Sequence, residues 1–273
     1  MGLKMKIIVP VSGGKDSQLC LQLALQQHGV DNVIAVHNAT NYDHPLTNQH
    51  LKDMEDFYKV KIHITYSDKY DDVFDFIEKS GSFPSSLARS CTSALKQKPF
   101  AKWLKDNNYC DGNYVIWMGM RKDESLARAT KYDSWDQEIE MTLNDFSSIY
   151  KAKLYQNIKV RLPIVDWLDE EVFAEIAKAG APLNPLYGKG HKRVGCYPCL
   201  LAGNDDWKLA AEDPIGRKHM KRLLEIEEKF VVDKNPRKLI KIHPTRDVRA
   251  LLEGDLFSVL AEERSTECSW CSI

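Results

Sequence analysis

The chain has 273 residues, a formal net charge of −1, 43% hydrophobic residues and 28% charged residues. This composition is ordinary for a globular domain and excludes a disordered or fibrous chain, and the small net charge argues against general binding to polyanions. The apolar runs are too short to span a bilayer and no hydrophobic signal segment follows Met1. The sequence therefore predicts a cytoplasmic protein that does not contact a membrane.

Strands and helices alternate through the first half of the chain. Apolar runs predict strands at 6–11, 33–36, 61–65 and 114–119. Helical periodicity predicts helices near 17–27, 47–58, 169–179 and 214–230. This alternation indicates an α/β fold with a parallel sheet, right-handed crossovers and ligands at the carboxyl ends of the strands.

A glycine-rich segment stands where the first strand passes into the first helix: Ser12, Gly13, Gly14, Lys15, Asp16 and Ser17. The glycines permit a tight turn with exposed N–H groups, and the helix N-terminus adds partial positive charge, so the segment predicts an anion cradle. The two serines can donate hydroxyls and Lys15 can neutralise phosphate oxygens, while Asp16 could cap the helix or help to hold Mg²⁺. The spacing of glycines and lysine in this segment differs from that of the Walker loop.

This segment resembles the PP-loop of the ATP pyrophosphatases, which split ATP between its α and β phosphates. Three further stretches resemble segments of the phosphoadenylyl-sulfate (PAPS) reductase family, in the order in which that family carries them: Thr40–Thr47, Gly119–Arg128 and the passage from Leu162 to Cys199. The resemblance implies a parallel-sheet fold of the adenine nucleotide α-hydrolase type, followed by a helical, cysteine-bearing extension.

Two of these stretches supply candidate nucleotide contacts. Arg121 and Arg128 follow a strand end, where their guanidinium groups could grip phosphate or sulfate, and Glu124 could orient Arg121 by an ion pair. A surface helix with charge pairs is the alternative. Asn41 and Asp43 could contact nucleotide or Mg²⁺, or belong to an ordinary polar turn.

The cysteines suggest a metal centre. Cys196 and Cys199 have the spacing that reaches one metal from a single turn, and Cys91 could close the site. The family resemblance implies a [4Fe-4S] cluster here, with structural zinc or no metal as alternatives. Family reductases carry two adjacent cysteines where this chain has Ser90 and Cys91, so one ligand is missing. Cys271 or its neighbour in the tail could supply it, or one iron could stay open to sulfur or substrate.

The C-terminal tail contains Glu267-Cys268-Ser269-Trp270-Cys271. It resembles the mobile Glu-Cys segment with which the reductases attack their substrate's sulfur, which implies a catalytic role for Cys268. Because a second cysteine follows, the pair could instead act as a persulfide relay, a redox pair or a ligand donor, or the tail could be a frayed terminus.

The intact loop favours an ATP user, because the reductases as a rule carry a degenerate loop for a substrate that is already adenylylated. The sequence thus predicts an ATP pyrophosphatase that resembles the DNA phosphorothioation enzymes and nucleic-acid thiolases. Lys15, Asp16 and Mg²⁺ would assist adenylation of an acceptor, and a cysteine desulfurase would be a partner by resemblance. One alternative is an adenylyl-sulfate or PAPS reductase that uses Cys268 and thioredoxin, and another is a non-catalytic subunit that binds ATP and a cluster.

We expect two parts: residues 1–205 as the nucleotide-binding domain with the Cys-x-x-Cys segment, and residues 206–273 as a basic extension with the tail. Between Pro214 and Arg249 the sequence has 11 Lys and Arg against 5 Asp and Glu. This excess predicts either a nucleic-acid face or a solvated helix surface.

Overall fold

The computed structural model describes residues 5–85, 88–233, 240–243 and 246–254. The strands are β1 (Lys6–Pro10), β2 (Val33–Asn38), β3 (Ile62–Thr65), β4 (Tyr114–Trp117), β5 (Glu140–Thr142) and β6 (Lys159–Arg161). The helices up to β6 are α1 (Lys15–His28), α2 (Pro45–Tyr58), α3 (Val73–Ser80), α4 (Ser90–Thr92), α5 (Lys98–Asp106), α6 (Leu126–Lys131) and α7 (Leu143–Phe146). Those after it are α8 (Asp169–Lys178), α9 (Pro185–Gly188), α10 (Asn204–Glu212), α11 (Pro214–Asp233) and α12 (Val248–Glu253).

The strands form one sheet in the order β3-β2-β1-β4-β6-β5. All neighbouring pairs are parallel except β5 with β6, which is antiparallel. The predicted α/β fold with its four strands is therefore confirmed. The sequence did not reveal β5 and β6, because Glu140–Thr142 and Lys159–Arg161 are three residues long and contain no apolar run.

β1 is buried on both faces of the sheet, as its continuous apolar run predicts. Ile7 and Val9 pack with α1 and α2 on one face, while Ile8 packs with Phe100 and Leu104 of α5 on the other. Two helical layers thus cover the sheet and leave its carboxyl edge for the loops.

The chain order places a crevice at that edge. From β1 the chain runs outward through β2 to β3, and then returns to β4 on the other side of β1. The loops that follow β1 and β4 therefore diverge at the point where the strand order reverses, which is where open α/β sheets bind their ligands. These loops contain Ser12–Ser17 and Gly119–Arg128.

The C-terminal helices pack into the same body as the first part of the chain. The apolar cluster around Trp207 of α10 and Met220 of α11 also contains Tyr42, Phe76 and Tyr197. Thus the described part of the extension buries its apolar face against residues that precede it. The division at residue 205 stays a prediction.

The arginines of α11 and the following segment have partners within the described residues. Arg217 and Arg246 donate hydrogen bonds to backbone carbonyls, whereas Arg222 and Arg249 form ion pairs with glutamates. The charge excess counted along the sequence therefore overstates the free positive charge of this surface.

His50 of α2 provides a pH-dependent contribution to stability. It is buried against α1, where Nε2 donates to Oε1 of Gln18 at 3.1 Å. Burial lowers the pKa of His50 to about 4. Since an unfolded histidine titrates near about 6.5, the unfolded state takes up the proton first as the pH falls. The stabilisation from neutral His50 is thus present above that value and is lost as the pH falls toward about 4.

We expect the free energy of unfolding to fall by about 3 kcal/mol on this account between pH 6.5 and 4, and His50→Gln to flatten that fall. Urea titrations at several pH values measure it, with His63→Gln on strand β3 as the matched control. If the free energy of unfolding of His50→Gln fell with pH as steeply as that of the wild type, His50 would not be the source of the pH dependence.

Candidate nucleotide and thiol site

The loop between β1 and α1 is held in shape by its own hydroxyls. The backbone N–H of Ser12 donates to Oγ of Ser17 at 3.0 Å, and that hydroxyl donates to the carbonyl of Gly14 at 2.9 Å. Gly13 has a φ of 78°, in the left-handed region that favours glycine, and its carbonyl accepts from Nδ2 of Asn184 at 3.0 Å. The N-cap residue of α1, Gly14, has no side chain to cap the helix. The first turn thus keeps the polarity that suits a phosphate.

Lys15 is buried at the start of α1 with its amine among carboxylates and rings. Its Nζ lies 2.9 Å from Oδ1 of Asp169 and 5.3 Å from the centre of the Phe173 ring. Its backbone N–H donates to the hydroxyl of Tyr187 at 3.0 Å. Burial alone would raise the pKa of Asp169, but Lys15 and Arg121 outweigh burial and lower it. The lysine is therefore fixed in a charged, largely dry environment.

Arg121 joins the loop, the segment after β4 and the start of α8. Its Nε donates to Asp16 at 2.6 Å, its Nη1 to Asp123 at 3.0 Å and its Nη2 to Asp169 at 2.5 Å. The side chain is 2% exposed. With three carboxylates around it, the guanidinium holds the site together in this structure, and direct contact with phosphate stays a prediction. Asp16 does not cap α1, because its carboxylate faces Arg121.

The expected ion pair between Glu124 and Arg121 is not formed. Glu124 accepts instead from the backbone N–H of Arg121 at 3.0 Å and pairs with the guanidinium of Arg128. The difference arises because Arg121 points inward to Asp16, while Arg128 is four residues from Glu124 on the outer side. Arg128 lines the cavity and remains the better placed of the two arginines to meet an anion.

Asn41 and Asp43 have partners outside the nucleotide loop. The Asn41 amide donates to the carbonyl of Asp71, and Asp43 forms a backbone bridge with Cys196. Thr40 links Asp43 to Cys196. Its hydroxyl donates to Asp43 at 3.1 Å and lies 3.4 Å from Sγ of Cys196. Neither Asn41 nor Asp43 lines the cavity, and their predicted contact with nucleotide or Mg²⁺ stays untested.

Cys91, Cys196 and Cys199 come together in the fold although 105 residues separate the first two in sequence. All three pack against one apolar cluster. Burial raises the pKa of Cys196 to about 11, and burial and the nearby Cys199 raise the pKa of Cys91. Lys96 is beside the three thiols and Asp43, and the negative charge that Cys196 and the other thiols would carry as thiolates, together with that of Asp43, outweighs burial and raises its pKa. Cys20 and Cys110 are buried elsewhere in the cores, and Cys268 and Cys271 lie outside the described residues.

The three thiols are ligands of the type that iron–sulfur clusters require. Three cysteine sulfurs around a single lysine provide soft ligands, and a bound metal would ionise thiols that burial keeps protonated. In the geometry of the described residues, no group of three His, Cys, Asp or Glu side chains is arranged to hold a metal ion. The three cysteines are thus neighbours whose sulfurs would need to converge on a metal.

One cavity of about 630 Å³ connects the loop with the thiols. Ser12, Gly14 and Lys15 line one end, and Cys196 and Cys199 line the other. Ligand cavities of this size hold nucleotide-sized molecules. A phosphate on the loop and a sulfur on the cysteines would therefore share one chamber.

Sequence reasoning missed several residues of this chamber: Lys96, Asp169, Phe173, Tyr187, His191 and Arg193. Asp169 and Phe173 belong to the predicted helix α8, whose first turn is acidic, and that acidity was the available signal. Tyr187 lies in the passage from Leu162 to Cys199 that resembles the family, but the sequence assigned it no role. It reaches Lys15 only because α9 folds back beneath the loop.

Gly119 permits the close approach of β4 to the loop, and this predicts a specific defect. A Cβ at this position would lie 2.5 Å from the carbonyl oxygen of Asp16 and 2.8 Å from the backbone nitrogen of Ser17. We expect Gly119→Ala to push the first turn of α1 aside, to weaken ATP binding by about tenfold or more and to lower Tm by several degrees. Gly188→Ala is the control, because a Cβ there meets nothing within 4 Å. If Gly119→Ala and Gly188→Ala had the same ATP affinity in calorimetry and the same Tm, Gly119 would not be needed for the close approach.

Fold and site together define an α/β protein whose glycine-rich loop lies at the switch point of a mostly parallel sheet. Residues 6–202 match the phosphoadenosine phosphosulfate reductase domain. The chain belongs to that family.

Curated relatives include both named and uncharacterized proteins. The chain is 27% identical over 203 residues to an uncharacterized protein of Methanocaldococcus jannaschii, covering 72% of this chain and 36% of that protein. It is 29% identical over 164 residues to adenosine 5'-phosphosulfate reductase of Rhizobium tropici, covering 58% of this chain and 77% of the reductase. The chain thus spans about a third of the archaeal relative's length.

Among solved structures, the chain is similar to the U34-tRNA thiolase NcsA from Methanococcus maripaludis with its [4Fe-4S] cluster. The TM-score is 0.47 and the two sequences are 16% identical. The match covers 99% of this chain and 76% of that one. Within the described residues, no helix combines the length and apolar character needed to cross a bilayer.

Proposed function

We propose that the protein is an ATP pyrophosphatase that adenylates an acceptor for sulfur transfer, in an iron–sulfur-dependent thiolation of a nucleic acid or nucleotide. The observation that carries this proposal is the single cavity between an intact PP-loop and the cysteines. An enzyme that only hydrolysed ATP would have no use for thiols in the same chamber.

The loop end supports adenylation. Lys15 would leave Asp169 for the phosphates, and the N-terminus of α1 would hold the charge that develops on the departing pyrophosphate. The acceptor oxygen would bond to the α-phosphorus as the bond to the α–β bridging oxygen breaks, and its proton would pass to solvent. Asp16, once released from Arg121, is the carboxylate best placed to help hold Mg²⁺.

The thiol end supports the sulfur step. A sulfur nucleophile would bond to the activated centre of the acceptor as AMP leaves with its electron pair. Cys91, Cys196 and Cys199 would hold a cluster, whose iron would supply a binding point for sulfur. Lys96 would balance the negative charge of the three thiolates. A cysteine desulfurase is the proposed sulfur donor, with a thiol that supplies the two electrons needed to release its persulfide sulfur as sulfide.

A second candidate is the reductase. The relative from Rhizobium tropici is named an adenosine 5'-phosphosulfate reductase, and the same loop and cavity could receive an adenylylated sulfate. In that case the thiolate of Cys268 would bond to the sulfate sulfur as the bond from that sulfur to the bridging oxygen breaks and AMP leaves. The intact loop supports ATP as the substrate instead.

Product analysis separates the two. Anaerobically prepared protein is incubated with Mg-ATP, sulfide and oligonucleotide acceptors, and in parallel with adenylyl sulfate and a thiol reductant. AMP and pyrophosphate released in equal amounts, dependent on an acceptor, support the proposal. Formation of ADP and phosphate would contradict it, and sulfite released from adenylyl sulfate would establish the reductase. Binding of ATP without turnover would indicate the non-catalytic subunit.

A further inference from the structure

The Cys-x-x-Cys segment is anchored through its tyrosine. The backbone N–H of Tyr197 donates to the carbonyl of Tyr42 at 2.8 Å, and the carbonyl of Tyr197 accepts from Nδ1 of His219 at 2.6 Å. The carbonyl of Cys199 accepts from Nε1 of Trp207 at 3.1 Å. These partners belong to the loop after β2, to α11 and to α10. The backbone between the two thiols is therefore held by three separate parts of the chain.

The Tyr197 side chain is held by a histidine and a carboxylate. Its hydroxyl lies 3.2 Å from Nε2 of His191, whose Nδ1 lies 3.3 Å from Oδ1 of Asp206. Burial alone would raise the pKa of Asp206, but His191 and the backbone N–H of Lys192 outweigh burial and lower it. A carboxylate only accepts, so Nδ1 of a neutral His191 carries the proton and Nε2 accepts from the phenol. The hydrogen bonds thus run in one direction, from the phenol through the imidazole to the carboxylate.

This chain of hydrogen bonds connects the first turn of α10 to the thiols. Asp206 is in that first turn, and Tyr197 directly follows Cys196. Tyr197, His191 and Asp206 are 3%, 5% and 7% exposed, so each polar group depends on the next one for its partner. His191 also lines the cavity, whereas Tyr197 does not. Loss of one link would release the side chain that stands between the two cysteines of the cavity wall.

We propose that His191, oriented by Asp206, is a positioning residue for the paired thiols: it holds the Tyr197 phenol and so presets Cys196 and Cys199 to bind one soft metal centre. Hydrogen-bonding partners behind metal ligands orient those ligands, and their loss costs about 10- to 100-fold in metal affinity. The inference rests on the cysteine ligation in the proposed function and is independent of its ATP chemistry.

The test uses the full chain, prepared anaerobically, both loaded with iron and after removal of metal. Titration of the metal-free protein with cobalt(II) measures how well the thiols are arranged, because binding by thiolates gives a charge-transfer absorption. The rate at which a chelator removes iron measures the same property in the loaded protein. The variants are Tyr197→Phe, which deletes a single oxygen atom, His191→Leu, and the two combined.

Tyr155→Phe is the matched control. The Tyr155 phenol is also buried and donates to the carbonyl of Ala101 at 3.1 Å, but it belongs to a different apolar cluster from the thiols. If the Tyr197 hydroxyl served stability alone, the Tyr197 and Tyr155 variants would behave alike. Thermal melts and Mg-ATP titrations are run on every variant.

We expect Tyr197→Phe and His191→Leu each to weaken cobalt binding by about tenfold or more and to speed the loss of iron by a similar factor. The combined variant should resemble His191→Leu rather than show the product of both effects, because the two changes break the same chain of hydrogen bonds. Tyr155→Phe should lose stability but keep the wild-type affinity for cobalt and the wild-type rate of iron loss.

Wild-type cobalt affinity in both single variants would overturn the inference, as would effects that multiply in the combined variant or an equal loss of affinity in Tyr155→Phe. Wild-type protein that binds neither cobalt nor iron would overturn it together with the proposed cysteine ligation, and would leave the ATP chemistry to its own test. Cobalt results as expected, with no binding of Mg-ATP, would instead reject the proposed ATP pyrophosphatase and keep the positioning role.

Discussion

Replacing Lys15 with alanine is expected to weaken Mg-ATP binding by about 100-fold or more and to abolish release of pyrophosphate. The amine is buried and lies within 2.9 Å of a carboxylate, so it is desolvated and preorganised before nucleotide arrives. Loss of a charged hydrogen-bonding partner in such a place costs about 2–5 kcal/mol. Calorimetric titration measures the affinity directly.

The fold should tolerate this change. Asp169 keeps its bond from Nη2 of Arg121 when Lys15 is removed, so no carboxylate is left unpaired. We expect the thermal melt of Lys15→Ala to stay within a few degrees of wild type. Lys178→Ala, on the surface of α8, is the control and should bind ATP normally. Wild-type ATP affinity in Lys15→Ala would mean that the loop does not cradle the phosphates.

Replacing Cys196 with alanine is expected to remove the iron and labile sulfide from anaerobically purified protein. A [4Fe-4S] cluster brings about four irons per chain, and Cys196 adjoins both Cys199 and Lys96. Loss of one of three described thiol ligands should leave well under one iron per chain and no thiolation, while ATP binding persists at the other end of the cavity.

The matched control is Cys110→Ala. Cys110 is buried in the core against α5, in a different apolar cluster from the three thiols. The iron content of the Cys110→Ala variant should therefore equal that of the wild type. Zinc in place of iron in the wild type, or equal iron in the Cys196 and Cys110 variants, would reject the cluster ligation.

The sheet and the loop could be predicted because their signals are local. β1, β2, β3 and β4 each contain a compact apolar run, and the glycines of the loop stand directly between β1 and α1. The switch point then follows from topology. The proximity of Cys91 to Cys196 was expected only through the family resemblance, since no local pattern links residues so far apart.

The partners of the loop could not be predicted from local patterns. Asp169 and Tyr187 reach Lys15 from α8 and α9, more than 150 residues later in the chain. The direction of Arg121 was also unforeseen, because a strand-end arginine looks the same in sequence whether it faces a ligand or three carboxylates of its own chain.

Charge counted along the sequence was a poor guide to the free charge of the surface. The stretch from Pro214 to Arg249 has the largest excess, yet its described arginines find partners in α10, α12 and acidic side chains. Arg193 stands in a segment with no such excess and comes to line the cavity only through folding.

The most direct test of the account is calorimetric titration of the anaerobic protein with Mg-ATP and, separately, with adenylyl sulfate and phosphoadenylyl sulfate. Tight binding of Mg-ATP that Lys15→Ala abolishes is the predicted result, and it would show that the loop holds the pyrophosphate of ATP. Binding of an adenylylated sulfate with no response to Mg-ATP would contradict the account and make the protein a reductase.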